Sequence, residues 1–423
     1  MTGFPIRHLI DRTFPLLLGV FAVLSPLTRS VQEYGFSLCF ALFVIHRYCA
    51  VDRPAMRMDL RPFYLVLAVY LGVAIVSLVY SADPVEGKHQ FMQLNMLLLC
   101  MIFAERIMPA MALRALWLFV AGTTAVAVIA LFQGLWLHID RPPTIMYCVH
   151  GGIVLLFGIT VLLSLLTVYR GWQAKSAAVG LLLLHGWALY LNGTRTAWAG
   201  AAVVLTVSPL LVPALTRRRK LVYLAVVVAT MVVFAYGPYA RYQFHQAERD
   251  VILYRNGTDD TSLGGRFDMW KASLLMFRRH PVLGVGLGGW QETLNRMALR
   301  GEAPAYIKRY NQTHNAFLDA LSTRGMAGLL SFVALMAAPI FIALRNADPQ
   351  RAVFRSVLVL LGLAALVTCN ADTLVRLRMP FMSYIVVTSI AFAGLASRGG
   401  EGEACCLKST LWDDRIHSRI VRN

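Results

Sequence analysis

One histidine and a few arginines are the residues of this sequence whose types and settings suggest chemistry. His314 lies in Tyr310-Asn311-Gln312-Thr313-His314-Asn315-Ala316-Phe317-Leu318, where a polar stretch gives way to an apolar, helix-forming one. Imidazole titrates near neutral pH, so a histidine at a helix mouth can take a proton from a hydroxyl. Thr313 is placed to cap that helix. On position alone, a lone histidine is more often structural. Arg195 sits in Asn192-Gly193-Thr194-Arg195-Thr196-Ala197-Trp198, a very short link between two apolar segments. A guanidinium at that depth either marks a substrate path or snorkels to the surface. Residues 238–324 hold 12 Lys or Arg, Arg266 among them, against eight Asp or Glu. That excess suits contact with anionic headgroups. It also suits a phosphorylated lipid, whose oxygens a guanidinium fork grips in pairs.

Other patterns carry less. Gly284-Val285-Gly286-Leu287-Gly288-Gly289 matches G-x-G-x-x-G, but no strand precedes it in a βαβ unit, so a tight turn against the membrane is expected instead of a dinucleotide site. Glu248-Arg249-Asp250 and Asp259-Asp260 are acidic groupings of the kind usually left solvated, and no D-x-D occurs. Seven cysteines with no CxxC pair argue against a disulfide framework or a zinc site.

The elements that must position these residues are membrane helices. Of 423 residues, 58% are hydrophobic and 15% charged, and the mean hydropathy is +0.60. Soluble domains run at about 45–50% apolar and about 25% charged, so a soluble enzyme or a disordered chain is excluded. Windows of about 20 apolar residues fall at 14–30, 34–50, 62–80, 89–104, 113–137, 147–169, 176–191, 197–215, 221–237, 325–344, 352–370 and 379–397. About 12 crossings are therefore expected, the first a retained helix with no small-x-small cleavage site after it. With the N-terminus cytoplasmic, inner segments carry 22 Lys or Arg and the short outer loops six. This orientation satisfies the positive-inside rule and puts both termini in the cytoplasm. The expected organisation is nine transmembrane helices over 1–237, a large structured outer loop over 238–324, three more helices over 325–397 and a cytoplasmic tail over 398–423. No internal repeat of the kind found in many transporters is visible.

Four short motifs in order resemble the O-antigen ligase and O-antigen polymerase superfamily of bacterial inner-membrane glycosyltransferases. They are Thr194-Arg195-x-x-Trp198, Gly265-Arg266-x-x-x-Trp270, His280-Pro281-x-x-Gly284-x-Gly286 and Thr313-His314-Asn315-x-x-Leu318. The resemblance covers roughly 195–330 by motif and the whole chain by topology. It implies an all-α integral membrane protein of GT-C-like architecture with one large periplasmic loop. The ligase branch moves a finished O-antigen from undecaprenyl pyrophosphate onto lipid A-core at the periplasmic face. Carried over, Arg195 and Arg266 hold the pyrophosphate, His314 activates the acceptor hydroxyl, and Asn315, Lys88 and Gln312 support them, with Asn315 orienting the imidazole.

Such chemistry is self-consistent. A pyrophosphate-linked sugar already has a good leaving group and needs charge neutralisation more than a general acid. One base and two or three cations suffice, so no metal and no cofactor are expected, and direct displacement would invert the anomeric centre. The polymerase branch, the protein O-oligosaccharyltransferases and, in a different class, a flippase for lipid-linked sugars are the alternatives. The R-x10-G spacing associated with polymerase loops occurs from Arg278 to Gly289, but also in three unrelated places. The formal charge of +18 then divides into an inner excess that sets topology and a small outer excess for an anionic lipid. Nucleic acid is not needed as a partner.

Overall fold

A computed structural model describes residues 4–28, 30–49, 58–107, 109–145, 147–167, 171–212, 215–257 and 260–395. The expected tail at 398–423 and Asp259 of the acidic pair lie outside the described residues. Sixteen α-helices and no strand are found among the described residues. They are α1 (Phe4–Leu24), α2 (Ser30–Cys49), α3 (Arg61–Val79), α4 (Pro84–Asn95), α5 (Leu98–Arg106), α6 (Pro109–Leu131), α7 (Cys148–Leu165) and α8 (Trp172–Asn192). There follow α9 (Arg195–Val207), α10 (Arg217–Tyr236), α11 (Pro238–Arg255), α12 (Ser262–Arg279), α13 (Trp290–Leu299), α14 (Ala316–Arg345), α15 (Ala352–Ala371) and α16 (Arg378–Leu395).

Eight stretches are long and apolar enough to cross a bilayer: α3, 111–136, α7, α8, α10, α14, 349–371 and α16. Shorter apolar helices cover Thr13–Leu24, Tyr34–Ile45 and Arg195–Leu211, where three more crossings are expected. This is the architecture of a multi-pass integral membrane protein. The fourth expected window, 89–104, is not one helix. It breaks at Met96–Leu97 into α4 and α5, and α4 carries Glu86, Lys88, His89, Gln90 and Gln93. At 1.5 Å per residue, nine-residue α5 reaches about 14 Å, well short of the hydrocarbon thickness. Neither piece is among the stretches long and apolar enough to cross by itself.

Helices α7, α15 and α16 form the centre of the bundle, with α14 packed between α3 and α15. Nearly all of α16 is enclosed by protein, whereas α10 presents almost its whole surface outward. In lipid, an apolar side chain gains little by leaving one hydrocarbon for another, so the bundle is held by close packing. Residues 238–315 form α11, α12, α13 and their links, packed on the bundle through α10, α14 and Leu287. They carry a small core of their own, built from Met269, Met276, Trp290, Leu294, Met297 and Ile307.

The two units are fastened at a break in α14. Gly325 is non-helical (φ 64°, ψ −158°), so Ala316–Arg324 is a half-helix leading into a longer membrane segment. A broken helix leaves backbone groups without partners, and in a membrane they must find new ones. The glycine turn supplies them. Val285 and Gly286 N–H donate to the carbonyls of Ser322 and Thr323, and Met326 and Ala327 N–H donate to those of Pro281 and Val282. Gly284 has a φ of +68°, and a Cβ there would overlap the Thr323–Arg324 backbone. Only glycine combines that dihedral with that approach. The G-x-G-x-x-G stretch is thus the tight turn expected for it, working as a wedge in the helix break.

Candidate functional site

His314 stands at the mouth of the half-helix. Its backbone has a φ of +49°, a left-handed value that non-glycine residues rarely adopt and that clusters at functional sites. Asn315, not Thr313, caps the helix: its Oδ1 accepts from the N–H groups of Phe317 and Leu318, both at 3.0 Å. Thr313 instead folds the preceding turn, accepting from Asn315 N–H at 3.2 Å and donating to the Asn315 carbonyl at 2.7 Å. The other end of the Asn315 amide donates to the Asn370 carbonyl at 3.1 Å. Asn315 therefore anchors the helix mouth and does not orient the imidazole.

Asp372 contacts the imidazole instead. His314 Nδ1 lies 3.2 Å from Asp372 Oδ1, in a pair whose histidine side chain is 24% exposed and whose carboxylate is 7% exposed. The same oxygen accepts the Thr373 N–H at 2.9 Å and faces Gln312 Nε2 at 3.4 Å. A carboxylate on one ring nitrogen fixes tautomer and orientation, leaving the other nitrogen to work. Tyr310 packs edge-on against the imidazole. Sequence reading passed over Asp372, although a lone acid between two apolar spans is itself a signal of function.

Arg266 is positioned by the residues around it in its motif. Thr261 caps α12, its Oγ1 accepting from Gly264 N–H at 3.0 Å. Asp268, buried two residues further along the same turn, accepts from the hydroxyls of Tyr254 at 2.6 Å and Tyr306 at 2.8 Å. Burial and then the neighbouring Asp268 carboxylate push the Tyr254 phenol up, so it remains a donor at neutral pH. Trp270 Nε1 donates to the Thr313 carbonyl at 3.1 Å, which ties α12 to the residue before His314. The spacing Arg266-x-x-x-Trp270 thus puts the arginine on one turn and the tether to the histidine on the next.

Arg195 opens α9 and is half-buried. Its electrostatic neighbours are Arg266, Asp250 and Arg141, so two chain-distant links bring three arginines together. Its Nη1 reaches the Gln243 carbonyl at 3.5 Å. Among the described residues, no carboxylate lies within ion-pair range of Arg195 or Arg266. Arg141, which sequence reading assigned only to a short loop, has a φ of +56°. Asp250 is the acid among these neighbours, so the three arginines keep an excess of positive charge that an anion would offset.

A cavity of about 830 Å³ opens beside the histidine segment. Its wall includes Glu86, Gln90, Gln93, Asn311, Gln312 and Arg376. Arg376 donates to the Asn311 carbonyl and approaches Glu86 Oε1, joining α4, the histidine segment and the α15–α16 link. Amides and a carboxylate on a partly apolar wall are groups that hydroxyl-rich ligands use. Lys88 stands exposed on α4 and is not part of this wall. Glu248, Asp250 and Asp260 do not form a cluster of metal-ligand groups among the described residues, and Asp260 is bound to Arg309.

Residues 178–333 match the family model described as O-antigen ligase. The matched stretch contains Arg195, Arg266 and His314 and supports a place in the O-antigen ligase superfamily. A protein of Haemophilus influenzae (strain ATCC 51907 / DSM 11121 / KW20 / Rd), described as uncharacterized, is 25% identical over 227 residues. That alignment covers 52% of this chain and 56% of the relative, so the chain matches little more than half of the relative's length.

Proposed function

We propose that this chain, whose residues 178–333 carry the domain of the O-antigen ligase family, is an O-antigen ligase of the bacterial inner membrane. It transfers the glycan of an undecaprenyl-pyrophosphate donor onto lipid A-core at the periplasmic face, with both termini in the cytoplasm and the 238–324 loop outside. The observation that supports this reading is the His314–Asp372 pair at 3.2 Å; Trp270 ties the helix of Arg266 to the residue before that histidine, and among the described residues neither Arg195 nor Arg266 has a carboxylate within ion-pair range.

Asp372 accepts the Nδ1–H of His314, which leaves Nε2 as the basic nitrogen. Nε2 takes the proton of an acceptor hydroxyl as that oxygen attacks the anomeric carbon. The bond from that carbon to the pyrophosphate oxygen breaks, and the leaving pyrophosphate keeps the electron pair. Arg195 and Arg266 hold its growing charge in a site poor in water, where a fixed cation is worth most. One displacement from the opposite face inverts the anomeric configuration. Gln312 holds the carboxylate in place, and the amide-lined cavity gives the glycan a surface of donors and acceptors. Lys88, at the outer face of α4, contributes positive charge to the approach of the donor.

Reconstitution with undecaprenyl-pyrophosphate glycan and lipid A-core tests the proposal. Transfer by the wild type that survives EDTA, disappears in His314→Ala and gives an inverted linkage by NMR supports it. Polymer growth without core would reassign the chain to the polymerase branch, and retained configuration would overturn the single displacement.

A further inference from the structure

A second basic cavity, of about 380 Å³, lies at the other end of α12. Arg279 is 13 residues beyond Arg266, a helical rise of about 20 Å, so this cavity is remote from the candidate transfer site. Its polar lining is Arg279, His280, Arg296, Arg300, Tyr80 and Thr293, with no carboxylate among the lining residues. Glu302 and Glu292 sit at its edges and brace two of the arginines, Arg279 at 2.6 Å and Arg296 at 2.8 Å. Each bracing bond uses one of five guanidinium donors and leaves the rest for a ligand.

The surroundings say what kind of ligand. Span α3 ends at Val79, which is 83% exposed, and Tyr80 on the cavity wall follows it. The Tyr80 hydroxyl donates to the Leu283 carbonyl at 3.0 Å, fixing that wall to the glycine turn. Val282 and Leu299 expose 66% and 79% of their surface nearby. Bare apolar side chains beside a membrane-helix end belong in lipid, and the arginines beside them then stand at headgroup depth. We propose that this cavity binds the phosphate of a lipid headgroup, with the guanidinium forks on the phosphate oxygens and the exposed apolar side chains against the acyl chains. The site would dock the loop unit to the bilayer beside the glycine turn that stitches the α14 break, and it stands independently of the transfer reading.

Native mass spectrometry of the full chain in detergent tests it, with phosphatidylglycerol and a diacylglycerol of the same acyl chains as probes. The wild type should bind phosphatidylglycerol about tenfold more tightly than R296Q/R300Q, while diacylglycerol should not distinguish the two proteins. R300K, which keeps the charge but not the fork, should weaken phosphatidylglycerol by about threefold and guards against a folding defect in the double variant. Equal phosphatidylglycerol affinity in all three proteins would overturn the site. Displacement of the lipid by micromolar inorganic phosphate would overturn its assignment to a lipid, whereas retention in millimolar phosphate upholds it.

Discussion

Arg324 and Arg266 lie on the two units joined at the α14 break and are held in opposite ways. Arg324 is 4% exposed, donates to the Tyr70 hydroxyl at 2.8 Å and stands over that ring. Its Nη2 lies 3.9 Å from Asp319 on the same half-helix. The buried cation therefore has protein partners at both terminal nitrogens, while its Nε has no hydrogen-bond partner among the described residues. Arg266 is only half-buried, lacks a carboxylate partner among the described residues and shares its surroundings with Arg195. One arginine holds the half-helix to α3; the other has no carboxylate within ion-pair range among the described residues. A charge held by the protein's own groups serves the fold, whereas a charge without such partners is free to pair with an anion.

That contrast can be broken by mutation. The largest effect is expected at the proposed base: His314→Ala should lower transfer by about a thousandfold with an unchanged unfolding midpoint in detergent. Arg266→Ala should cost about a hundred- to a thousandfold in turnover, again without loss of stability, whereas unchanged turnover would remove Arg266 from the site. Arg324→Met should do the reverse. Leaving Asp319 buried without its cation costs about 3–5 kcal/mol, read as an earlier thermal unfolding, and any lost activity should track the unfolded fraction. Asp372→Asn removes a charged hydrogen-bond partner worth about 1.5–3 kcal/mol, so transfer should fall ten- to a hundredfold. The pH profile of the residual activity should also shift, which a merely structural aspartate would not cause.

The smallest effect is expected at Glu302→Gln. Its bond to Arg279 holds the Glu302 carboxyl below its ordinary value. Any stability it gives is thus present above the ordinary carboxylate range and lost as pH falls through the lowered value. The pair is exposed, so the unfolding midpoint should barely move at neutral pH. A large shift there would mean that loop ion pairs behave like the buried one.

The membrane class and most helices were legible in the sequence because length and apolarity alone decide whether a segment can span. The 89–104 window misled because averaging over it hid the polar face of α4. His314, Arg195 and Arg266 were legible as unusual residues at segment ends. Their partners were not: Asp372 is 58 residues from His314, and Arg141 is more than 100 from Arg266. Thr313 looked like a cap by type, but backbone geometry gave that role to Asn315.

By itself, the sequence determined that this chain lives in a membrane, that its polar loop is basic, and where the arginines and the histidine lie along it. Those are consequences of composition and local pattern, which need no knowledge of contacts. Only the tertiary structure decided that α14 is broken at Gly325 and stitched by the glycine turn. It alone paired His314 with Asp372 and gathered Arg195, Arg266 and Arg141 from distant parts of the chain. Such facts depend on which distant groups share a low-dielectric site, and that is set by packing.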